Sequence, residues 1–190
     1  MYLRETWDLG IGWDNALPDS MQKKWVEFFH QIRNLHKFEF AKCLNPEGAV
    51  GKPMLTILSD ASDKAYGFAA YVRWKLSNDT YFCSLIFAKS CIAPLRGLST
   101  PQLKLNAALL AKRGQEIIEK EMRLEFDRVV HMTDSATVLC MLAKTFTRFK
   151  LYEGVRISEI QAAIPISEWQ WVGGEHNTAD WISQLNDLLI

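Results

Sequence analysis

Apolar positions along this chain follow two different periods. Met21, Trp25, Phe28, Phe29, Ile32 and Leu35 recur at steps of three and four. That spacing places them on one face of a helix, and Pro18-Asp19-Ser20 supplies its start signal. From Met54 the period becomes that of strands. Met54 to Asp60 is a β-rich run ending on a carboxylate, and Tyr66 to Trp74 and Tyr81 to Ala88 are two more. Turns at Ala61 to Lys64 and at Leu76-Ser77-Asn78-Asp79 separate them. After a loop from Pro94 to Thr100, helical spacing returns from about Pro101, a residue suited to a first helical position, to about Arg123. Val129 to Asp134 predicts a fourth strand and Glu168 to Val172 a fifth. Helices are predicted between them, over Ala136 to Lys144 and Tyr152 to Ala163, and a last short one over Thr178 to Leu185 after the loop from Gly173 to His176. The stretch from Trp7 to Asp14 is rich in Gly and Trp and predicts irregular chain.

The turn-rich segment from Asn45 to Pro53 sets a boundary. Residues 1–50 form a segment with one amphipathic helix, and residues 51–190 an α/β domain. Its first three strands are joined by short turns and so run antiparallel. Strands four and five each follow a helix and can pair in parallel. The expected architecture is one mixed five-stranded sheet flanked by helices.

Composition narrows the function classes. Lys and Arg number 22 and Asp and Glu 22, so the formal net charge is zero. A general pull toward nucleic acid or membrane is excluded, and any nucleic-acid surface must be a local patch. Cys43, Cys83, Cys91 and Cys140 form no CxxC pair, which argues against a zinc site and a secreted disulfide framework. No signal peptide or membrane-length apolar run is apparent. The expectation is an intracellular protein with free thiols, nuclear or cytoplasmic. Seven tryptophans require a deep core or a partner.

Candidate chemistry gathers on three carboxylates. Asp60 and Asp134 each end a strand, where ligands of open α/β sheets gather, and Asp180 opens the last helix. Clustered carboxylate oxygens suit a hard divalent cation such as magnesium. Taken singly, the same residues also read as a turn residue, a helix cap and a first-turn acid favoured by the helix dipole.

Several separated motifs agree in order and spacing. They are Ser59-Asp60-Ala61-Ser62, Ala65-Tyr66-Gly67, Ala88-Lys89-Ser90, Ala93-Pro94-Leu95, Leu98-Ser99, the Leu103 to Ala111 helix, Thr133-Asp134-Ser135 and Asn177-Thr178-Ala179-Asp180. Together they resemble the ribonuclease H domain of BEL/Pao-type LTR retrotransposon polyproteins. Upstream, Leu9 to Asp14 with Leu17-Pro18 and Trp25 resembles the connection between reverse transcriptase and nuclease in the same polyproteins.

The resemblance implies an RNase H-like fold and four acidic metal ligands. Asp60, Asp134 and Asp180 match three of them. The fourth, a glutamate in a Leu-Glu-Leu context, is Lys104 here. Thr100, Pro101, Ala107 and Ala108, one turn away, are not acidic, and Glu116, Glu119 and Glu121 lie three or more turns further on. Softer departures are the neutral residues near Cys91 and Gln102, where the family is basic, and Thr178 in place of proline.

The expectation is therefore an inactive nuclease fold that needs no metal and serves as a scaffold, protein-interaction or nucleic-acid-binding module. Its alternative is a magnesium-dependent ribonuclease that cleaves the RNA strand of RNA–DNA hybrids with the three aspartates, Lys104 then extending to solvent. Substrate contacts are expected at Ser62, Lys89, Ser135, His176 and Asn177. Lys89, Arg96, Lys112, Arg113, Lys144, Arg148 and Lys150 contact phosphates or are scattered solvated charges. His131 is expected to pack within its strand, and His30 and His36 are not read as ligands. Trp7, Trp13, Trp25, Phe28 and Phe29 either fold back on the domain or meet a protein partner.

Overall fold

The structure, a computed structural model, describes residues 2–37, 39, 43–95, 97–145 and 148–184. The chain divides into two compact units, one ending at Lys42 and one beginning at Cys43.

The first unit holds helices α1 (Tyr2–Asp8) and α2 (Asp19–Asn34), with a one-turn 3-10 helix at Leu35–Lys37. α1 was not expected; it occupies Trp7 and Asp8, which the sequence assigns to irregular chain. It ends at Gly10, whose φ of +66° suits a residue without a Cβ. A Lys24–Glu5 ion pair of 2.9 Å ties α2 to α1. α2 starts where expected, but no side chain caps it. The Pro18 carbonyl accepts from the N–H groups of Met21 and Gln22 at 2.9 Å instead.

The second unit is a five-stranded sheet in the order β3-β2-β1-β4-β5. Its strands are β1 (Ala49–Ala61), β2 (Ala65–Leu76), β3 (Tyr81–Ile92), β4 (Arg128–Thr133) and β5 (Trp169–Trp171). β1, β2 and β3 pair antiparallel, while β1–β4 and β4–β5 are parallel. This is the mixed five-stranded arrangement that the order of elements implies.

Several strand boundaries differ from the sequence reading: β2 gains residues at both ends, and β3 runs on to Ile92, four residues past Ala88. β1 begins at Ala49, inside the segment taken as a linker. Ala49 and Val50 pair with Leu76 and Lys75, and the register shifts before Met54. Gly51, at φ +72°, allows that bulge, so turn-forming residues still enter the ladder. β5 shrinks to three residues because Ile166–Glu168 winds into a 3-10 turn.

Helices α3 (Thr100–Glu121), α4 (Ala136–Ala143), α5 (Leu151–Ala163) and α6 (Asp180–Ser183) complete the unit. α3 starts at the Ser99 cap, where the Gln102 side chain reaches back to accept from the Ser99 N–H at 3.0 Å. α3 is buried on two faces. Ala111 and Ile118 join Leu55, Ile57, Phe68 and Ala70 of the sheet. Leu105, Ala108 and Leu109 join Val138 and Leu142 of α4, Ile157 and Ile160 of α5, Ile164, and Trp169 of β5. A helix with two apolar faces loses amphipathic contrast. Among the described residues, no helix is long and apolar enough to cross a membrane.

Candidate functional site

The parallel register of β1 and β4 builds the site. Leu58 faces Met132 and Ser59 faces Thr133, so the next residues on each strand, Asp60 and Asp134, emerge side by side about 5 Å apart. Asp60 still belongs to β1, paired with Gly67 of β2, and is 4% exposed. Asp134 is the first residue beyond β4, and its carbonyl accepts from Trp171 Nε1 at 3.0 Å.

Asp180 arrives with α6, a helix of one turn that needs external support. Gly67 lets it approach: a Cβ there would come within 2.6 Å of Ile182 Cγ2 and of the Lys89 carbonyl. Asn177 is buried; its amide donates to the Ser59 carbonyl at 3.1 Å, and its oxygen accepts from the Ala179 N–H at 3.2 Å. Ser62 Oγ donates to the Ser183 carbonyl at 2.7 Å. Ser183, fully buried, donates to Asp60 Oδ2 at 2.5 Å. Asn177 and Ser62, expected to meet substrate, are thus committed to holding α6 against β1. Ser183 and Trp171 were not anticipated. The only sequence hint for Ser183 is its step of three from Asp180, which returns it to the same helical face.

Lys104 projects from the second turn of α3 into this cluster. Its Nζ lies 2.5 Å from Asp134 Oδ2 and 3.3 Å from Asp60 Oδ1, and its side chain is 18% exposed. It does not extend to solvent. Burial alone would lower the Lys104 pKa, but the hydrogen bond to Asp134 and the charges of Asp60 and Asp134 raise it above the ordinary lysine value. Asp180 is raised in turn, first by burial and then by the neighbouring charges of Asp60 and Asp134, while the Gln184 amide works against the rise. That amide lies 2.7 Å from both Asp180 oxygens.

The donor set does not meet the demands of the magnesium that the sequence resemblance implies. Magnesium needs oxygen ligands at about 2.1 Å in near-octahedral order. Oδ1 of Asp60 and Oδ1 of Asp134 have no hydrogen-bond partner among the described residues. Asp60 Oδ1 is nonetheless ion-paired with Lys104 Nζ at 3.3 Å, while the shorter bond of the ammonium goes to Asp134. Two such oxygens are too few while a nitrogen cation lies between their carboxylates. Among the described residues, no group of three or more His, Cys, Asp or Glu side chains is placed to hold a metal ion. The arrangement with Lys104 in place does not fit the ion.

The remaining candidates lie apart from this cluster or are otherwise employed. Ser135 Oγ accepts from the Val138 N–H at 3.3 Å and caps α4. Lys89 is exposed on β3. His176 is exposed, with its ring 3.8 Å from the Glu175 carboxylate. Lys112 is buried and bonds Glu116 at 2.7 Å, and Arg113 grips Glu159 with two bonds of 2.9 Å. Lys112 is therefore not a solvated charge, and Arg113, although exposed, has its guanidinium committed to Glu159. Lys144, Arg148 and Lys150 are exposed, and Arg96 lies outside the described residues. His131 is fully buried, bonds Gln115 Oε1 at 2.7 Å and packs on Trp169. Burial lowers its pKa to about 3. In the first unit, Trp7 and Trp13 meet edge to face at 6.1 Å, and Trp25 stacks on Phe29. Trp7, Ile11, Trp13, Leu17 and Trp25 line a concavity of about 470 Å³.

The family model described as Pao retrotransposon-like RNaseH-like domain matches residues 1–135. No curated protein matches the chain. Among solved structures, the N-terminal RNase H domain of rv2228c from Mycobacterium tuberculosis, a fusion with maltose-binding protein, is similar at 9% identity and a TM-score of 0.42, over 67% of this chain and 87% of that one. RNase H1 from Halobacterium salinarum is similar at 11% identity and a TM-score of 0.41, over 67% and 89%. LC11-RNase H1, solved in complex with an RNA/DNA hybrid, is similar at 9% identity and a TM-score of 0.41, over 67% and 89%.

Proposed function

Because this chain belongs to the Pao retrotransposon-like RNaseH-like domain family, we propose that it is a nuclease fold that has given up metal-dependent cleavage and acts as a binding or scaffold module. The observation that carries this reading is the Lys104 ammonium held between Asp60 and Asp134. Phosphodiester cleavage by two divalent ions needs carboxylates free to place them about 3.5–4 Å apart. A unit charge about 4 Å from a carboxylate is worth roughly 4 kcal/mol at an effective dielectric of about 20, before desolvation costs. The ammonium supplies that term from within the chain, repels an incoming cation and stands where the family's fourth acid would coordinate.

The deciding measurement is magnesium-dependent cleavage of an RNA–DNA hybrid. The parent protein is expected to cut no faster than its Asp134→Asn variant. Robust cutting that Asp134→Asn abolishes would overturn the reading. It would favour the alternative, a ribonuclease working with Asp60, Asp134 and Asp180, for which the Oδ1 atoms of Asp60 and Asp134, buried and accepting no hydrogen bond among the described residues, speak.

For the module itself, a protein partner at the N-terminal aromatics is favoured over a hybrid. Trp7 is 68% and Trp13 86% exposed, and tryptophans are common anchors of protein interfaces. A hybrid bound without cutting remains the second use, distinguished by direct titration of the chain with an RNA–DNA hybrid.

A further inference from the structure

On the opposite face of α3 from the aspartates, a concavity of about 420 Å³ opens between α3 and α5. Its walls combine apolar side chains, among them Leu98, Leu109, Leu110 and Val155, with Tyr66, Tyr152, Arg113 and Arg156. We propose that this concavity binds a nucleoside phosphate, with the phosphate on Arg156 and the base against the tyrosine and leucine walls.

Arg156 is held as a ligand-binding arginine is held. Its guanidinium lies 3.6 Å over the Tyr152 ring. Nε donates to Asn106 Oδ1 at 2.7 Å and Nη1 to the Tyr152 carbonyl at 2.8 Å. Asn106 is itself buried and is fixed by the Tyr152 hydroxyl through bonds of 2.9 and 3.0 Å. Three groups thus fix the plane of the guanidinium, and its Nη2 donates no hydrogen bond among the described residues.

Arg156 also forms no ion pair among the described residues. The Glu153 and Glu159 carboxyls are held low first by their bonds to Gln102 and Arg113, and the Arg156 charge is only a minor influence on them. No carboxylate lies within ion-pair distance of it among the described residues. The nearby acids are engaged elsewhere: Glu159 by Arg113 at 2.9 Å and Lys112 at 3.8 Å, and Glu153 by the Gln102 amide at 2.8 Å. Among the lining residues, Arg113, Arg156 and Glu159 sum to one positive charge, with Glu153 a nearby carboxylate outside the lining. A planar guanidinium with a free edge favours phosphate, which takes parallel N–H donors. The aromatic and leucine walls favour a flat ring, and the volume falls in the range of small-ligand sites. Tyr66 lies close enough for the Arg156 charge to oppose the rise that burial imposes on its phenol, so the arginine and both tyrosines converge on one space.

This inference does not depend on whether the acidic cleft is active. The phosphate could belong to a free nucleotide or to a residue of a single strand, and both offer the same chemistry. The test is a titration of the ¹⁵N-labelled full chain, followed by amide shifts, with adenosine monophosphate, a short single-stranded oligonucleotide and inorganic phosphate. Shifts are expected around Tyr66, Asn106 and Tyr152, and inorganic phosphate is expected to bind more weakly than the better of the two nucleotide probes. Whether the monophosphate or the oligonucleotide binds more tightly identifies the source. Arg156→Gln is expected to weaken that binding about tenfold or more. Because Arg156 also holds Asn106, a second variant is needed. Val155→Asp places a carboxylate at the exposed rim, leaves the Asn106 network intact and is expected to weaken binding similarly. Absence of shifts at millimolar probe, equal affinity for inorganic phosphate, or unchanged affinity in Val155→Asp would each overturn the proposal.

Discussion

Replacing Lys104 by glutamate would set four carboxylates facing one another across one cleft. Without divalent ions, Lys104→Glu is expected to be less stable than the parent, and magnesium is expected to recover it. An ion that binds only the folded state stabilises by about 2.7 kcal/mol at a hundredfold excess over its dissociation constant. Thermal melts across a magnesium series should rise for Lys104→Glu and stay flat for the parent; a flat response in both sinks the charge-exchange account. Lys104→Met removes the counter-charge without replacing it. Breaking a sealed ion pair costs about 3–5 kcal/mol. Here the lysine side chain keeps 18% exposure, so a loss of about 1–3 kcal/mol in urea unfolding is expected. His131 acts on stability through acid. Its pKa falls to about 3 in the folded state from an ordinary 6.5, so the unfolded chain binds the extra proton. The stability it contributes is intact above pH 6.5 and declines by up to about 1.4 kcal/mol per pH unit as pH drops toward 3. His131→Asn should flatten that part of the pH–stability curve; an unchanged slope would show that His131 does not drive it.

Packing between elements leaves little room at two glycines. Gly114 sits on α3 against the ring of Phe68, which a Cβ would overlap. Gly114→Ala would gain about 1 kcal/mol of helix propensity, while overpacking costs about 1–3 kcal/mol. The second effect should win because Phe68 is fully buried and edge-packed on Phe87 at 5.3 Å. A lower urea midpoint at unchanged m-value is expected, and a higher midpoint would mean that the ring has space to move. The strands and the long helices were legible in the sequence because their apolar periods differ. The start of β1 was not, because Gly48 and Gly51 carry a turn signal that a bulge absorbs into the ladder. α1 was missed because a seven-residue helix leaves little periodicity to detect. α6 was foreseen at Asp180, but its supports were not: Asn177, Ser62 and Ser183 act through contacts more than 100 residues away in sequence.

Across the whole molecule, balanced charge limits what electrostatics can do at long range. The formal net charge is zero, and Lys112 and Arg113 are spent on Glu116 and Glu159. Proteins that make 6–10 phosphate contacts lose about 10³–10⁵ in affinity between 50 and 200 mM salt. Hybrid binding by this chain is expected to change less than about tenfold over the same range, and filter binding can measure it. A steep salt dependence would point to a basic patch, for which the exposed Lys144, Arg148 and Lys150 are the candidates. The sequence placed the three aspartates and the lysine on the right elements, because strand ends and a helix start are local features. That Lys104 holds Asp60 and Asp134 together was expected from the family resemblance rather than from any local pattern, and the shared register of β1 and β4 is what brings the two carboxylates within its reach. The peptide chain itself fixes the distance of that ammonium from its carboxylates, so its effective concentration there is independent of the surrounding solution. Chelators cannot strip such a counter-ion and swings in cellular ion levels cannot dilute it, so the charge balance of the cleft is carried by the chain alone.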